Sequence, residues 1–163
     1  MRFIIIVLAL TFLITGVLIF GIPLLTKSDT HAQGGQISVS PAEIDAGDVN
    51  INSGPVQKTY EVKNTGTGPI KLNNIETSCA CTYALFRVGD KTSPKFSMPG
   101  HGQNPAFWSQ TLNPGETGEL LVVFDPAFHG PDALGPIVRI VNLFTDDPKN
   151  NQVDVKMSAN VVK

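Results

Sequence analysis

Two cysteines one residue apart, Cys79 and Cys81 in the segment ETSCACTYAL, are the residues whose types and spacing most clearly suggest chemistry. They are the only cysteines among 163 residues. Such a pair can bridge, exchange disulfides with another protein, bind a soft metal ion, or be buried as two small apolar side chains. The compartment bears on this choice, because thiols outside the cytosol tend to oxidise.

The spacing of the two cysteines limits what a bridge between them can do. In an extended strand, residues i and i+2 share a face with their Cα atoms about 6.6–6.8 Å apart. Disulfides usually join Cα atoms about 5.5–6 Å apart, so a Cys79–Cys81 bridge requires a kink or a bulge. The loop that it closes is very small, so it removes little entropy from the unfolded chain. We therefore expect a labile bridge, suited to a redox-active pair, rather than a stabilising one.

A soft-metal site is the second chemical interpretation. Thiolate and thioether sulfurs favour Cu(I), and imidazole also binds copper. The candidate ligands are Cys79 and Cys81, joined by Met98, His101 or His129. Both histidines stand beside glycines in turns, where a side chain projects freely. A copper ion is therefore the one cofactor that we consider.

Partner binding is the third interpretation, and it centres on a long segment without alternation, Val88 to Gln110. Loops of this length in compact domains are usually functional or disordered. This loop contains Phe107 and the single tryptophan, Trp108, which we take as candidate partner-binding residues. Trp108 could instead anchor the loop on the core. The sequence carries no Gly-x-Ser-x-Gly, His-Glu-x-x-His or phosphate-binding glycine motif, so we expect no enzyme and assign no catalytic residues.

The elements that must position these residues begin with an apolar run from Phe3 to Leu25. Twenty-three helical residues span about 34 Å, enough for a bilayer core of about 30 Å. Arg2 precedes the run, so residues after it should lie outside the cytoplasm. We predict a retained, single-pass signal-anchor over residues 1–27. The alternative is a signal peptide cleaved within THAQ, residues 30–33.

Residues 28–36 are polar and glycine-containing and are predicted to be a flexible tether. Residues 37–163 are long enough for one exported domain with a hydrophobic core. After residue 27, ten Lys and Arg stand against fourteen Asp and Glu, a net charge near −4. A nucleic-acid surface would need a basic face, so nucleic acid is not expected as a partner.

The exported part shows the period-two pattern of strands almost throughout. In QVDVKMSANV, apolar and polar residues alternate from Val153 to Val161, and KTYEVKN places Tyr60 and Val62 on one face. PIVRIVNLFT places Val138, Ile140 and Phe144 on one side of a strand and Arg139 on the other. Turns rich in Gly, Pro, Asn and Asp separate the runs. We predict an all-β, antiparallel sandwich of about seven strands, with an eight-stranded barrel as the alternative.

Three segments also resemble a bacterial family of exported domains, domain of unknown function 1573. They are YEVKNTGTGPIKLNNIETSCACT, LNPGETGELLVVFDP and FTDDP, and the resemblance covers Thr59 to Val161. Ala80 stands where the family has glycine between the cysteines. The resemblance implies an immunoglobulin-like sandwich similar to major-sperm-protein and ASH domains, which are binding and scaffolding modules.

Together, these observations predict a membrane-anchored, extracytoplasmic binding or scaffolding module of the cell envelope. Its expected partners are the membrane and an unidentified envelope protein. A copper-binding protein that uses the Cys-x-Cys pair is the first alternative, and a thiol–disulfide exchange partner is the second.

Overall fold

The computed structural model describes residues 4, 6, 7, 11, 34–102, 104–147 and 149–163. The chain divides into two compact units, 1–30 and 31–163, and the fold below is that of the second. Most of the predicted membrane segment and most of the predicted tether lie outside the described residues. Within the described part of the chain, no helix is both long enough and apolar enough to span a membrane.

The described residues of the second unit form ten β-strands. They are β1 (Ile37–Ser40), β2 (Glu43–Asn50), β3 (Val56–Asn64), β4 (Ile70–Thr77), β5 (Thr82–Val88), β6 (Lys91–Thr92), β7 (Gln110–Leu112), β8 (Thr117–Phe124), β9 (Gly135–Thr145) and β10 (Gln152–Val162). One sheet has the order β1-β3-β8-β5-β6 and the other β2-β10-β9-β4-β7. Only β2 and β10 pair in parallel among these strands. The predicted all-β sandwich is confirmed, with ten strands instead of about seven.

The core lies between the two sheets and follows the period-two pattern. In β3, the side chains of Tyr60 and Val62 are fully buried, while Thr59, Glu61 and Lys63, which alternate with them, face solvent. In β10, every second residue from Val155 to Val161 is buried. The alternation predicted for both strands is therefore confirmed, and burial of these apolar faces drives the sheets together at about 25 cal/mol per Å².

Strand β9 shows the predicted alternation, which left open the side that faces the core. The core-facing side is that of Arg139, which it shares with Val141 and Leu143. Val138, on the opposite side, is 54% exposed. An apolar residue can stay on a sheet surface at modest cost, whereas Arg139 enters a polar contact near the strand end, described below.

One phenolic hydroxyl joins the two sheets. Tyr60 on β3 is fully buried, and its hydroxyl donates a hydrogen bond of 2.6 Å to the carbonyl of Lys156 on β10. Burial, together with repulsion from the Glu43 carboxylate, raises the pKa of Tyr60 to about 12. The neutral phenol is therefore the form that the folded domain stabilises.

Replacing this tyrosine tests the contact. We expect Tyr60→Phe to lower the free energy of unfolding by about 1–2 kcal/mol near neutral pH, because the buried Lys156 carbonyl loses its donor. In the unfolded chain Tyr60 ionises near its ordinary pKa of 10.0, but in the folded protein its pKa is about 12. Rising pH therefore favours unfolding of the wild type across that interval, by up to about 2–3 kcal/mol.

The difference in the free energy of unfolding between wild type and Tyr60→Phe should accordingly narrow as the pH rises from 10.0 to about 12. Urea unfolding at several alkaline pH values measures it. Tyr83→Phe, at the other tyrosine, is the matched hydroxyl deletion outside the core. A difference that stays constant with pH would contradict the assigned burial of the phenol.

Candidate functional site

The two cysteines lie in a tight turn that crosses from one sheet to the other. Residues 78–81, which we call the cysteine turn, connect β4 in one sheet to β5 in the other. The backbone N–H of Thr82 donates to the carbonyl of Cys79 at 3.1 Å and closes the turn. The Cα atoms of Cys79 and Cys81 are thereby 5.3 Å apart, and the two sulfurs form a disulfide. The kink that a bridge requires is thus supplied by a turn, not by a bulge within a strand.

Thr77 holds the cysteine turn from inside the core. Its side chain is only 2% exposed, and its hydroxyl lies 3.0 Å from the carbonyl oxygens of both Cys79 and Thr82. Ser78 fastens the same turn to β9, since its N–H donates to the carbonyl of Ile140 and its hydroxyl accepts from the Ile140 N–H, both at 2.9 Å. None of these bonds involves sulfur, so the turn does not depend on the bridge alone.

The two sulfurs have different polar neighbours. The guanidinium Nε of Arg139 donates to Cys81 Sγ at 3.0 Å, and Cys81 is only 3% exposed. His129 Nε2 lies 3.2 Å from Cys79 Sγ, and Cys79 is only partly buried. Partial burial lowers the pKa of the Arg139 guanidinium, although an arginine keeps its charge at neutral pH. Positive charge therefore stands beside the more buried sulfur.

His129 reaches the disulfide because the loop after β8 is bonded to the cysteine turn. The Asp125 N–H donates to the Cys81 carbonyl at 2.9 Å. The Asp125 carboxylate accepts the Ala127 N–H at 3.0 Å and shapes the loop. The His129 ring is exposed and meets the Phe128 ring edge-on, with centroids 5.1 Å apart.

Three of the five candidate metal ligands converge. One ligand atom each of Cys79, Cys81 and His129 lie within 4.8 Å of one another. His101 lies outside this group, although it lines the adjoining cleft. The His101 N–H donates to the Met98 carbonyl at 3.0 Å, and Met98 itself is half-buried. In the bridged state the sulfurs are not thiolates, so reduction must precede metal binding through them.

The long loop folds back on the sheet, and its two aromatic residues have different surroundings. Trp108 packs edge-on against Phe86 and Phe96, with ring centroids 6.2 and 5.0 Å away. Phe96 is held by two backbone hydrogen bonds of 2.9 Å with Ala84 on β5. Phe107, by contrast, is 102% exposed. Trp108 therefore contributes to the anchoring of the loop, while Phe107 is presented to solvent.

A cleft of about 960 Å³ opens beside the cysteine turn. Its lining residues come from separate parts of the chain, and they are Pro55, Ala80, Cys81, Tyr83, Pro94, Lys95, Ser97, His101, Gly102, Asn104, Pro105, Asp125 and Phe128. The Lys95 ammonium lies 4.0 Å from the centre of the Tyr83 ring. Phe128 is 53% exposed at the cleft.

Sequence reasoning missed Thr77, Tyr83, Lys95, Phe128 and Arg139. The cleft residues come together only through the fold, and no local spacing marks them. Arg139 does carry a signal, since it is a lone charge within the apolar run PIVRIV.

Residues 37–90 match the family model described as protein of unknown function (DUF1573). The match includes both cysteines and confirms the resemblance predicted from the sequence, which had been placed over Thr59 to Val161. No curated protein matches the sequence.

Solved structures share the fold. A protein of unknown function from Porphyromonas gingivalis W83 is 20% identical with a TM-score of 0.59, over 83% of this chain and 51% of that chain. This chain therefore spans about half the length of that protein. A family 123 glycoside hydrolase from Clostridium perfringens is 8% identical with a TM-score of 0.51, over 80% of this chain and 27% of that one. The ASH/PapD-like domain 7 of human CEP192 is 11% identical with a TM-score of 0.48, over 80% of this chain and 87% of that chain. At these identities the likeness concerns the fold alone.

The contact of Thr77 with the cysteine turn can be tested by an isosteric change. We expect Thr77→Val to lower the free energy of unfolding by about 1–3 kcal/mol, because two carbonyls lose a buried donor while the side-chain shape is kept. Urea titration followed by circular dichroism measures it. The control is Thr117→Val, at an exposed position of β8, where we expect a change within about 0.5 kcal/mol. Equal effects at the two positions would show that Thr77 does not hold the turn.

Proposed function

We propose that residues 37–163 form a non-catalytic binding module outside the cytoplasm, held at the cell membrane by the N-terminal apolar segment. Its ligand is an extended polypeptide segment of an envelope protein, bound in the cleft beside the cysteine turn. The observation that carries the proposal is the composition of this cleft, because its walls have the chemistry of peptide-binding grooves.

The apolar part of the cleft suits an extended chain rich in proline. Aromatic-lined grooves recognise the polyproline II conformation, which loses little entropy on binding. The cleft presents the rings of Tyr83 and Phe128 together with Pro55, Pro94 and Pro105. Proline and aromatic rings bury apolar surface at low conformational cost, because few of their torsions are free to be ordered.

Two opposite charges on the walls can give the bound segment a direction. Lys95 lies over the Tyr83 ring, and Asp125 belongs to the loop that is bonded to Cys81. A peptide with complementary charges at the two ends would bind in one orientation, since charge pairing contributes specificity more than affinity. The rest of the lining includes Ser97 and Asn104, whose side chains hydrogen-bond within their own loop and fix the shape of that wall.

Selection of peptides against the whole protein tests this proposal. The full chain, in detergent, is panned with a random twelve-residue phage library, and enriched peptides are measured by fluorescence anisotropy. We expect extended, proline-containing peptides to be enriched. Phe128→Ala should weaken their binding at least roughly fivefold, because half of a phenylalanine surface is lost from the cleft.

The matched control is Phe107→Ala, at an exposed phenylalanine that does not line the cleft. We expect this variant to bind the selected peptides as the wild type does. Loss of binding in Phe107→Ala with none in Phe128→Ala would transfer the binding surface to the tip of the long loop. Failure to enrich any peptide would count against the peptide-binding proposal itself.

Copper binding is the second candidate, and it is favoured by the convergence of Cys79, Cys81 and His129. Two thiolates with one imidazole form a soft donor set of the kind that Cu(I) prefers. A reduced pair in the cysteine turn would keep its sulfurs on one side, because the hydrogen bonds of Thr77 and Ser78 hold the backbone there.

Cu(I) titration of the reduced full chain, with a chromogenic competitor, measures this candidate. We expect one tight equivalent in the wild type and none after Cys79→Ser with Cys81→Ser. His129→Asn should weaken binding roughly tenfold or more, since one donor is removed. The control is His101→Asn, which lies outside the converging group and should bind as the wild type does. Absence of tight uptake by the reduced wild type would eliminate the candidate.

A further inference from the structure

The surroundings of the disulfide are asymmetric, and the asymmetry has a chemical meaning. One sulfur belongs to Cys79, which is partly exposed, and the other to Cys81, which is 3% exposed and accepts a hydrogen bond from the Arg139 guanidinium at 3.0 Å. In thiol–disulfide exchange, one sulfur is attacked and the other leaves as a thiolate. The two positions of this bridge are suited to those two different roles.

We propose that Cys79–Cys81 is a thiol–disulfide exchange site that oxidises dithiols of exported polypeptides. Cys79 is the sulfur that is attacked, and Cys81 is the leaving sulfur. This activity goes beyond the binding function proposed above and does not require it.

The leaving role of Cys81 follows from its contact with Arg139. A leaving thiolate carries a full negative charge, and a buried thiolate without a partner would be costly. The guanidinium Nε–H already points at Cys81 Sγ, so the charge would form next to a cation without rearrangement of the side chain. Hydrogen bonds to charged acceptors are about twice as strong as neutral ones, so this contact favours the reduced, ionised product more than the disulfide.

The attacked role of Cys79 follows from access. An incoming thiolate must approach one sulfur from the side opposite the S–S bond, and Cys79 is the less buried residue of the two. The cysteine turn also belongs to the wall of the cleft, through Ala80 and Cys81. A polypeptide that binds there would bring its own cysteines close to the bridge.

The exchange balances in two steps. A thiolate of the partner forms a bond with Cys79 Sγ, the Cys79–Cys81 bond breaks, and its electron pair stays on Cys81 Sγ beside Arg139. A second partner thiolate then attacks the partner sulfur of the mixed disulfide, and the electron pair of that bond stays on Cys79 Sγ. The partner gains a disulfide and loses two electrons, and the pair gains both. Of the two partner protons, one passes to Cys79 and the other to water, so that Cys81 stays a thiolate beside Arg139.

Equilibration of the full chain with reduced and oxidised glutathione tests the proposal. Two glutathione thiols replace the partner dithiol, and alkylation after an acid quench counts the reduced cysteines. We expect Arg139→Gln to disfavour the reduced pair about tenfold relative to the wild type, which is a shift of about 30 mV. Arg139→Lys keeps the charge without the Nε donor and should lie between the two.

The matched control is Arg87→Gln, which removes an arginine that pairs with Glu119 on the surface. We expect its equilibrium with glutathione to equal that of the wild type. An identical equilibrium in wild type, Arg139→Gln and Arg139→Lys, with native circular dichroism, would overturn the assignment of Arg139.

The position of the mixed disulfide provides a second readout that does not depend on the folding of any variant. Acid-quenched wild type, fragmented in the mass spectrometer, should carry glutathione on Cys79 at least roughly tenfold more often than on Cys81. Equal labelling, or a bridge that glutathione never opens, would overturn the proposal. Either result would leave peptide binding in the cleft as a separate question.

Discussion

The crossing from β4 to β5 is the constraint on which the rest of the site depends. β4 is bonded to β9 in one sheet and β5 to β8 in the other, and residues 78–81 alone connect them. So short a connection between two layers must turn sharply, and the Thr77 hydroxyl lies 3.0 Å from the carbonyl of Cys79 within the turn and from that of Thr82 just after it. The cysteine Cα atoms lie 5.3 Å apart in this turn, which is within the range that a disulfide spans.

The same crossing explains what surrounds the disulfide. Arg139 lies on β9, the neighbour of β4, and His129 lies in the loop that follows β8, the neighbour of β5. Each sheet therefore supplies one nitrogen-containing side chain to one sulfur. The hydrogen bond from the Asp125 N–H to the Cys81 carbonyl holds the loop after β8 against the cysteine turn. The arrangement follows from strand register, which is why it involves residues about fifty positions apart.

Period-two alternation predicted the sandwich and the core faces of β3 and β10, because those strands have one apolar and one polar face. It could not show which face of β9 points inward, since Val138 and Val141 are equally apolar and only tertiary packing separates them. The two cysteines and His129 were found by residue type. The geometry of the Cys79–Cys81 bridge was not predicted, because the residue spacing of an extended strand does not apply to two cysteines in a turn. The cleft required contacts between segments distant in the chain.

Binding and exchange can share one surface because the turn does not depend on the bridge alone for its shape. The hydrogen bonds of Thr77, Ser78 and Thr82 involve only oxygen and nitrogen atoms of the chain, so opening the S–S bond breaks none of them directly. The cleft wall formed by Ala80 and Cys81 would therefore present nearly the same backbone in both oxidation states. What changes is the charge, because a thiolate at Cys81, which lines the cleft, would neutralise Arg139 beside it. A ligand with an acidic group near Cys81 would consequently bind the oxidised form more tightly, which couples occupancy of the cleft to the redox state of the pair.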